Sequence, residues 1–458
     1  MMFADLAEKA LFEQAQQYAY SYIDAAYERH VYPTDDALAD LSVFDEALPD
    51  EMQAGADILS LLDQYGSPAT VAQTGGRYFG FVNGNAIPTA LAARWLSDVW
   101  DQNSALHVMS PIVAKLEQVC ERWAVDLLGL SAETAAGFVS GTSIATLCGL
   151  AAGRYALLKK QGWDVNEDGL FGAPPIRVVV SEQAHGTVLK ALALLGLGKG
   201  RIERVPADDQ GRIDVSQLPE LDATTLVILQ AGHVSTGSFD DFEAIGKLAQ
   251  SADAWVHIDG AFGLWAAASP NLKHLTKGIE LADSWSVDGH KTLNTPYDCA
   301  IVLCKRREIL AAAMQATGAY IQWGNERDNM LLTPDMSRRA RAVELWATLR
   351  FLGRSGLASM LEELVARAQQ FAGLLREAGF QIQNDVVFNQ VLVMCDSAEQ
   401  TTATMTAIQS SGECWAGGTR WNGDPAIRIS VCSWATTSAD IERSANAFIA
   451  ARNAQLNS

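Results

Sequence analysis

The chain has 458 residues, of which 49% are hydrophobic and 19% are charged. This composition is typical of a folded globular protein and excludes wholesale disorder. The formal net charge of −20 argues against nucleic acid or an anionic membrane as the main partner, because phosphate groups are bound by basic surfaces. We therefore expect neither a nucleic-acid nor a membrane partner.

The cysteines and the N-terminus favour a cytoplasmic protein. Seven cysteines are scattered along the chain without a C-x-x-C pair, which is typical of reduced thiols and not of a disulfide framework or zinc site. The N-terminus has no basic segment followed by an apolar run, so no signal peptide is predicted. No pair of histidines has a spacing typical of metal ligands, and we predict no metal.

The first part of the chain is predicted to be helical. Apolar residues recur at helical spacing over Leu6–Tyr27 and Ala56–Gln64, which predicts an N-terminal helical arm over residues 1–65. A glycine-rich, aromatic segment follows at residues 74–85. Further helices are predicted over Pro111–Leu128 and Ile144–Lys160.

Short apolar runs then alternate with stretches of helix length. Runs of this kind predict a sheet that is buried on both faces, hence a doubly wound α/β domain over residues 66–335. Beyond it, a long helix and two strands around a helix predict a small α+β domain over residues 336–458. The predicted strands of the large domain are Ile176–Ser181, Thr225–Gln230, Trp255–Ile258, Ser284–Val287 and Ala300–Cys304.

Four of these strands are followed by residues that can do chemistry. His185, Ser235 and Asp259 come after the first three strands, and His290-Lys291 comes after the fourth. Because ligands in open α/β sheets bind at the carboxyl ends of the strands, we expect these residues to share one edge of the sheet.

A lysine and a carboxylate at this edge suggest a particular cofactor. Lys291 could be an exposed surface residue, but a partly desolvated lysine can act as a Schiff-base nucleophile. Asp259 could cap a helix, or it could keep a heterocyclic nitrogen protonated. Pyridoxal 5'-phosphate requires both a lysine Schiff base and an acidic partner for its ring nitrogen.

The phosphate of such a cofactor needs donors, and the segment before a predicted helix provides them. Ser140, Gly141, Thr142 and Ser143 precede an alanine-rich helix, whose free N–H groups can bind an anion, although serine and threonine also cap many helices. His185 could be a core histidine or could stack on the cofactor ring.

These segments resemble the pyridoxal-phosphate-dependent group II amino-acid decarboxylases, which have the aspartate-aminotransferase-like, type I fold. The resemblance spans about residues 77 to 450. It is carried by the segment ending at His185, by His257-Ile258-Asp259-Gly260-Ala261-Phe262-Gly263 and by Ser286-Val287-Asp288-Gly289-His290-Lys291. Asp288-Gly289 departs from the family's Asn-Pro, and the phosphate loop is one glycine short.

The resemblance implies roles for further residues. Lys291 would be the Schiff-base lysine, Tyr320 a catalytic tyrosine on a mobile loop, and Arg428 the partner of the substrate carboxylate. Ser235, Ala261, Asp288 and His290 would contact the cofactor. The fold implied is α/β with a mainly parallel central sheet, an N-terminal helical arm and a small C-terminal α+β domain.

The activity implied is decarboxylation of an L-amino acid to CO₂ and an amine, in amino-acid metabolism. Phe81, Asn83 and His107 are candidate substrate contacts, and the nearby aromatic residues weakly favour an aromatic or apolar side chain. An aldehyde synthase, a carbon–carbon lyase or an aminotransferase with the same cofactor stays open, and a non-catalytic binding protein is a remote alternative. The resemblance also implies a homodimer with shared active sites.

Overall fold

The computed structural model describes residues 2–314 and 326–456. Local sequence explains where many helices begin: proline occupies the first turn of two of them, and Thr34, Asp241 and Ser397 accept backbone N–H groups at three other N-termini. None of the helices in these two ranges is both long enough and apolar enough to cross a bilayer. The helices are α1 Met2–Glu8, α2 Ala10–Ala25, α3 Asp35–Ala39, α4 Gly55–Leu61, α5 Pro88–Trp100, α6 Pro111–Leu127, α7 Thr142–Lys160, α8 Val165–Asp168, α9 Gly186–Leu194, α10 Phe242–Ser251, α11 Arg307–Met314, α12 Ala342–Glu377, α13 Ala398–Ser411 and α14 Ser438–Leu456.

The described strands form two sheets. The larger sheet has the order β1-β7-β6-β5-β4-β2-β3, and the smaller has the order β10-β11-β9-β8. The strands are β1 Ala135–Val139, β2 Arg177–Ser181, β3 Ile202–Val205, β4 Thr225–Gln230, β5 Trp255–Asp259, β6 Ser284–Asp288, β7 Ala300–Cys304, β8 Gln381–Ile382, β9 Gln390–Met394, β10 Gly417–Trp421 and β11 Asp424–Ser430.

The larger sheet is mainly parallel, as the sequence predicts. Strands β2 to β6 pair in parallel, whereas β7 runs antiparallel to both β1 and β6. Every residue of β4, β5 and β6 is buried, which explains why these strands are continuous apolar runs without alternation. The α/β fold is confirmed.

Four of the described strands are not predicted from the sequence. The strands β1, β3, β8 and β10 are short, contain glycine or charged residues, or lack a strong apolar run, so their sequences do not predict them. The connection from β6 to β7 contains no helix, because residues 289–299 form a loop. This loop carries Lys291.

The chain divides into two compact units. One comprises Met1–Phe81, Gln370–Ile382 and Leu392–Ser458, and the other comprises Val82–Gln369 and Gln383–Val391. The first unit contains both ends of the chain: the buried guanidinium of Arg77 donates to the backbone oxygens of Tyr27, Arg29 and Glu413. The second unit contains the larger sheet. The division at residues 65 and 335 stays a prediction.

Helix α7 packs directly on the larger sheet, and its N-terminus reaches the edge that carries the candidate active site. A Cβ at Gly149 would lie 2.5 Å from Cε1 of His257 in β5, so only glycine allows this close approach. A further hydrogen bond joins the hydroxyls of Thr146 in α7 and Ser286 in β6, at 2.9 Å. The N-terminus of α7 is thereby held at the carboxyl edge of β5 and β6.

Candidate active site

The carboxyl ends of β2, β4, β5 and β6 lie along one edge of the larger sheet, because these strands are parallel neighbours. This edge carries Asp259 as the last residue of β5 and Asp288 as the last residue of β6. The segments that follow carry His185, Ser235 and Lys291. Tertiary structure thus collects on one edge residues that are up to 106 positions apart, from 185 to 291.

Asp288 connects helix α7 to the loop that carries Lys291. One carboxylate oxygen, Oδ1, accepts the backbone N–H of Thr142 at 2.8 Å, and Oδ2 accepts the Thr142 hydroxyl at 2.8 Å. The Lys291 ammonium Nζ lies 3.3 Å from Oδ2, and His290 Nε2 lies 3.6 Å from Oδ1. The carboxylate itself is almost fully buried.

Lys291 is a partly shielded amine and not a surface lysine. Its side chain is 19% exposed, and Nζ lies 5.9 Å from the ring centre of Phe262, within reach of a cation–π interaction. The neighbouring Thr292 fixes the same loop, because its hydroxyl donates to the carbonyl oxygen of Phe262 at 2.7 Å. The amine can therefore reach a ligand while its backbone stays anchored.

Gly84 packs against the lysine loop, shortly after two residues with unusual backbone conformations. Phe81 and Val82 have φ values of 56° and 67°, a left-handed conformation that is unusual for a β-branched residue such as valine. Gly84, two residues on, donates its N–H to the carbonyl oxygen of His290 at 3.2 Å, and a Cβ there would overlap the carbonyl oxygen of Lys291. Only glycine fits this position.

Asp259 is a buried carboxylate with little compensation from the protein. It accepts the N–H of Ala261 at 3.2 Å, and its side chain has no ion-pair partner in the part of the chain that the structure describes. Burial raises the pKa of Asp259 above its ordinary value, while the positive charges of His185 and Lys291 act in the opposite direction. Such a carboxylate can hold a cationic group.

His185 begins helix α9 and leaves most of its ring exposed. As the N-cap residue it lies 2.8 Å from the Thr187 hydroxyl through Nδ1, which also accepts the Thr187 N–H at 3.4 Å. This contact fixes the orientation of the imidazole. A ligand at the sheet edge could stack on the ring, as the sequence analysis predicts.

The N-terminus of α7 offers donors to an anion. Helix α7 has 19 residues and begins at Thr142, with Gly141 as N-cap and no side-chain cap. The Thr142 donors are used by Asp288, whereas Ser143 is exposed and its hydroxyl has no hydrogen-bond partner within residues 2–314 and 326–456. Ser140 and Gly141 are partly exposed beside it.

Tyr297 lies in the lysine loop and is not among the predicted site residues. Its ring stacks on His290 with centres 4.3 Å apart, and its hydroxyl donates to the side-chain oxygen of Asn83 at 3.1 Å. Tyr297 therefore links Asn83, a predicted substrate contact, to His290. An aromatic residue six positions after a lysine gives no local signal for such a contact.

Two other histidines are structural. His257 is fully buried in β5 and shares a hydrogen bond of 2.9 Å with the Ser284 hydroxyl, and burial lowers the pKa of His257 to about 3. His233 organises the turn after β4, where its Nδ1 accepts the N–H groups of Ser235 and Thr236 at 3.3 Å. Ser235 is thereby held at the end of β4.

The remaining predicted residues have the following contacts. His107 donates its backbone N–H to Asp328, at 3.0 Å, and is not connected to Lys291 by any contact in the described ranges. Phe81 and Arg428 belong to the unit that contains both chain ends. Phe81 is 63% exposed and stacks on Trp415 at 5.7 Å, and Arg428 is half-buried with no hydrogen-bond partner for Nε in the described ranges. Tyr320 lies outside the described residues.

One sheet edge thus carries a buried carboxylate, a shielded lysine and a helix N-terminus. A comparison of the chain with protein families agrees with this arrangement. Residues 42–394 match the family model described as pyridoxal-dependent decarboxylase conserved domain. The chain belongs to this family. It is a pyridoxal-phosphate-dependent amino-acid decarboxylase of α/β fold, as the sequence resemblance predicts.

Relatives of the chain extend over most of its length. Aromatic-L-amino-acid decarboxylase of Cavia porcellus is 26% identical over 415 residues, covering 85% of both chains. The 4-hydroxyphenylacetaldehyde synthase of Rhodiola rosea is 26% identical over 336 residues, covering 68% of this chain and 67% of that protein. The crystal structure of Oryza sativa TDC with PLP and tryptamine superposes with a TM-score of 0.90 at 21% identity, over 99% of this chain and 98% of that chain.

Proposed function

We propose that this decarboxylase acts on an aromatic L-amino acid and that Lys291 is the residue to which pyridoxal phosphate is attached. The observation that carries the lysine assignment is that a shielded amine, Lys291, and a buried carboxylate, Asp259, lie at the same sheet edge. The names of the relatives support the aromatic substrate class.

The residues around Asp259 have the chemistry needed to bind the pyridine ring of the cofactor. A pyridinium nitrogen is a cation, and the buried, weakly compensated carboxylate of Asp259 is the partner that it needs. His185 would cover one face of the ring, with Ala261 and Ser235 beside it. The phosphate would lie at Ser140, Gly141, Thr142 and Ser143, near Asp288 and His290.

When bound, the cofactor supplies an electron sink for the bond that breaks at the substrate Cα. The chain's own part is positioning and proton control. Asp259 would hold the proton on the ring nitrogen, and Lys291 would bring an amine to the cofactor aldehyde. Arg428 is proposed to bind the substrate carboxylate, since burial lowers its pKa only from a very high ordinary value and a guanidinium stays charged.

Tyr320 is proposed to protonate the substrate Cα after loss of CO₂, a role taken from the sequence resemblance alone. A second product is worth testing, because one relative is named as an aldehyde synthase. Simple decarboxylation releases an amine, whereas the oxidative reaction consumes O₂ and releases an aldehyde, ammonia and hydrogen peroxide. Assays of these products separate the two.

Replacing Lys291 tests the attachment site. Lys291→Ala removes the only proposed point of covalent attachment, so activity should fall by on the order of a thousandfold or more. Borohydride treatment followed by mass spectrometry should fix the cofactor to Lys291 in the wild type and to no residue in the variant. A variant that keeps a visible absorbance band abolished by borohydride would contradict the assignment.

A panel of L-amino acids tests the substrate class. Aromatic amino acids should exceed aliphatic and acidic ones in kcat/KM for CO₂ release by about tenfold or more, because a pocket that fits a ring gains several kcal/mol from its burial. Preference for glutamate or for a small aliphatic amino acid would overturn the aromatic proposal and leave the decarboxylase family unaffected.

We also propose that the protein is a homodimer. Helix α5 exposes large apolar side chains at helical spacing, and an exposed apolar stripe of this kind is typical of a protein–protein interface. These residues are Trp95, Leu96, Val99 and Trp100. Sedimentation at low micromolar concentration should give twice the mass of the chain, and a monomer that turns over substrate normally would refute the proposal.

A cytoplasmic location is proposed on the cysteines. All seven are buried and none forms a disulfide in the described residues, which suits a reducing compartment. Fractionation of cells that express the protein should recover it with cytosolic markers.

A further inference from the structure

Asp288 places a negative charge of the protein itself at the N-terminus of α7. Both of its carboxylate oxygens accept hydrogen bonds of 2.8 Å from Thr142, one from the first backbone N–H of the helix and one from the hydroxyl. The side chain is 2% exposed, so water does not screen this charge effectively. Asp288 is therefore an internal anion at an anion-binding position.

Asp288 has one cationic neighbour, the Lys291 ammonium at 3.3 Å, within ion-pair distance among the described residues. His290 lies at 3.6 Å, but burial lowers its pKa, so the ring is mostly neutral near pH 7. Asp259 is a second carboxylate close enough for the charge of Asp288 to affect its pKa.

We infer that Asp288 competes with the cofactor's phosphate for the N-terminus of α7 and so weakens the preference of this enzyme for phosphorylated over unphosphorylated pyridoxal. This inference rests on the proposed function, in which the phosphate lies at Gly141, Thr142 and Ser143. A phosphate brings up to two further negative charges to donors that a carboxylate already uses. The remaining donors around Ser143 bind it against that repulsion.

The substitution Asp288→Asn isolates the charge, since asparagine preserves both contacts. Its side-chain oxygen can still accept the Thr142 N–H, and its NH₂ group can donate to the Thr142 hydroxyl, which frees the hydroxyl hydrogen for an incoming phosphate. The variant therefore removes the repulsion and adds donors. A role of Asp288 as a structural link alone predicts no gain in phosphate affinity.

The experiment compares two cofactor forms in the full-length cofactor-free protein. Dissociation constants for pyridoxal phosphate and for pyridoxal are measured by absorbance and fluorescence titration. The ratio of the pyridoxal constant to the pyridoxal phosphate constant should rise by about tenfold or more in Asp288→Asn, with the pyridoxal constant little changed. Inorganic phosphate should compete with pyridoxal phosphate more strongly in the variant.

Asp253→Asn is the matched control. This substitution removes one carboxylate charge, as Asp288→Asn does, but at the opposite edge of the sheet, just before β5. The φ of Asp253 is 53°, a conformation that asparagine accepts readily. The ratio of the pyridoxal to the pyridoxal phosphate dissociation constant in Asp253→Asn should equal that of the wild type. An unchanged or lower ratio in Asp288→Asn overturns the inference.

Two further outcomes are decisive. If Asp288→Asn does not fold, Asp288→Ser takes its place, because serine removes the charge and keeps a hydroxyl that can accept a hydrogen bond; the ratio should again rise, and an unchanged or lower ratio overturns the inference. If the wild type binds neither form at Lys291, the proposed function fails, which differs from binding of both forms with an unaltered ratio.

Discussion

At the scale of single residues, environment decides which titratable groups can do chemistry. His257 and His185 both lie at the larger sheet, yet His257 is enclosed and hydrogen-bonded whereas His185 is exposed at a helix start. Asp259 and Asp288 end neighbouring strands, but Asp288 accepts two hydrogen bonds from Thr142 and Asp259 accepts one from Ala261. Their difference leaves Asp259 available for a cationic ligand.

Asp259→Asn should stabilise the cofactor-free protein while it impairs the enzyme. The folded-state pKa of Asp259 is raised by burial, so wild-type stability falls as pH rises from the ordinary carboxyl value through the raised value. At pH 7 the variant has no ionised carboxylate to bury, so its Tm should be higher than that of the wild type by about 1–2 °C. Its kcat should fall by on the order of a hundredfold, because asparagine does not hold a proton on the ring nitrogen.

Thermal unfolding of both cofactor-free proteins at pH 5 and pH 7 measures the stability effect. The gain in Tm should be smaller at pH 5, where more of the wild-type carboxyl is protonated. A variant that is less stable than the wild type at both values would show that Asp259 is compensated by the protein.

Gly84→Ala should loosen the cofactor without touching a reactive group. The added Cβ overlaps the carbonyl oxygen of Lys291, so the lysine loop must move. We expect the dissociation constant for pyridoxal phosphate to rise by about tenfold or more, with a lower kcat. Gly186→Ala, where nothing lies within 4 Å of the new Cβ, is the matched control and should bind the cofactor like the wild type.

At the scale of elements, helix α7 is the support of the site. Its glycines at 149 and 153 let it approach His257 and Trp255 of β5, and its first residue bonds to Asp288 at the end of β6. The helix, two strands and the lysine loop are therefore one connected assembly. A change in the spacing between α7 and the sheet should disturb cofactor binding at a distance.

Gly149→Ala tests this coupling. A Cβ at 2.5 Å from the His257 ring forces the helix outwards, which should cost about 1–3 kcal/mol of the free energy of unfolding. Gly373→Ala is a helical control in α12 with nothing within 4 Å of the new Cβ, and it should be neutral or stabilising by about 0.5–1 kcal/mol. Denaturant unfolding measures both, and equal effects would refute the tight packing of α7.

At the scale of the whole molecule, burial protects the thiols. The seven cysteines are distributed over the two units, and all are buried thiols outside any disulfide in the described residues. Burial raises the pKa of every one for which a shift is resolved, for example to about 12 for Cys304 and Cys414, so little thiolate forms at neutral pH. The thiols are expected to be chemically inert in the folded protein.

A thiol titration checks this expectation. Ellman's reagent at pH 8 should modify fewer than about one thiol per folded chain within minutes, and all seven of them after unfolding in guanidinium chloride. Prior treatment with a reducing agent should not change the second value. Rapid labelling of several thiols in the folded protein would contradict the burial.

Sequence patterns and the family resemblance predict the cofactor, the reaction class and most of the larger sheet. The buried strands of this sheet are mostly apolar runs, and Thr225–Gln230 and Ala300–Cys304 have the predicted bounds. The residue types after these strands, together with the family resemblance, pointed to pyridoxal phosphate and decarboxylation. Strands with weak patterns, such as β3 and β10, were not predicted because pairing with neighbours stabilises them and not their own periodicity.

The contacts between distant residues become visible only in the folded chain. Thr142 and Asp288 are 146 positions apart, and Gly84 reaches the lysine loop across more than 200. No local pattern specifies such contacts, because they follow from strand order, from the packing of α7 and from the left-handed turn at Phe81 and Val82. The same is true of burial, which separates a structural histidine from an exposed one and raises the pKa of Asp259.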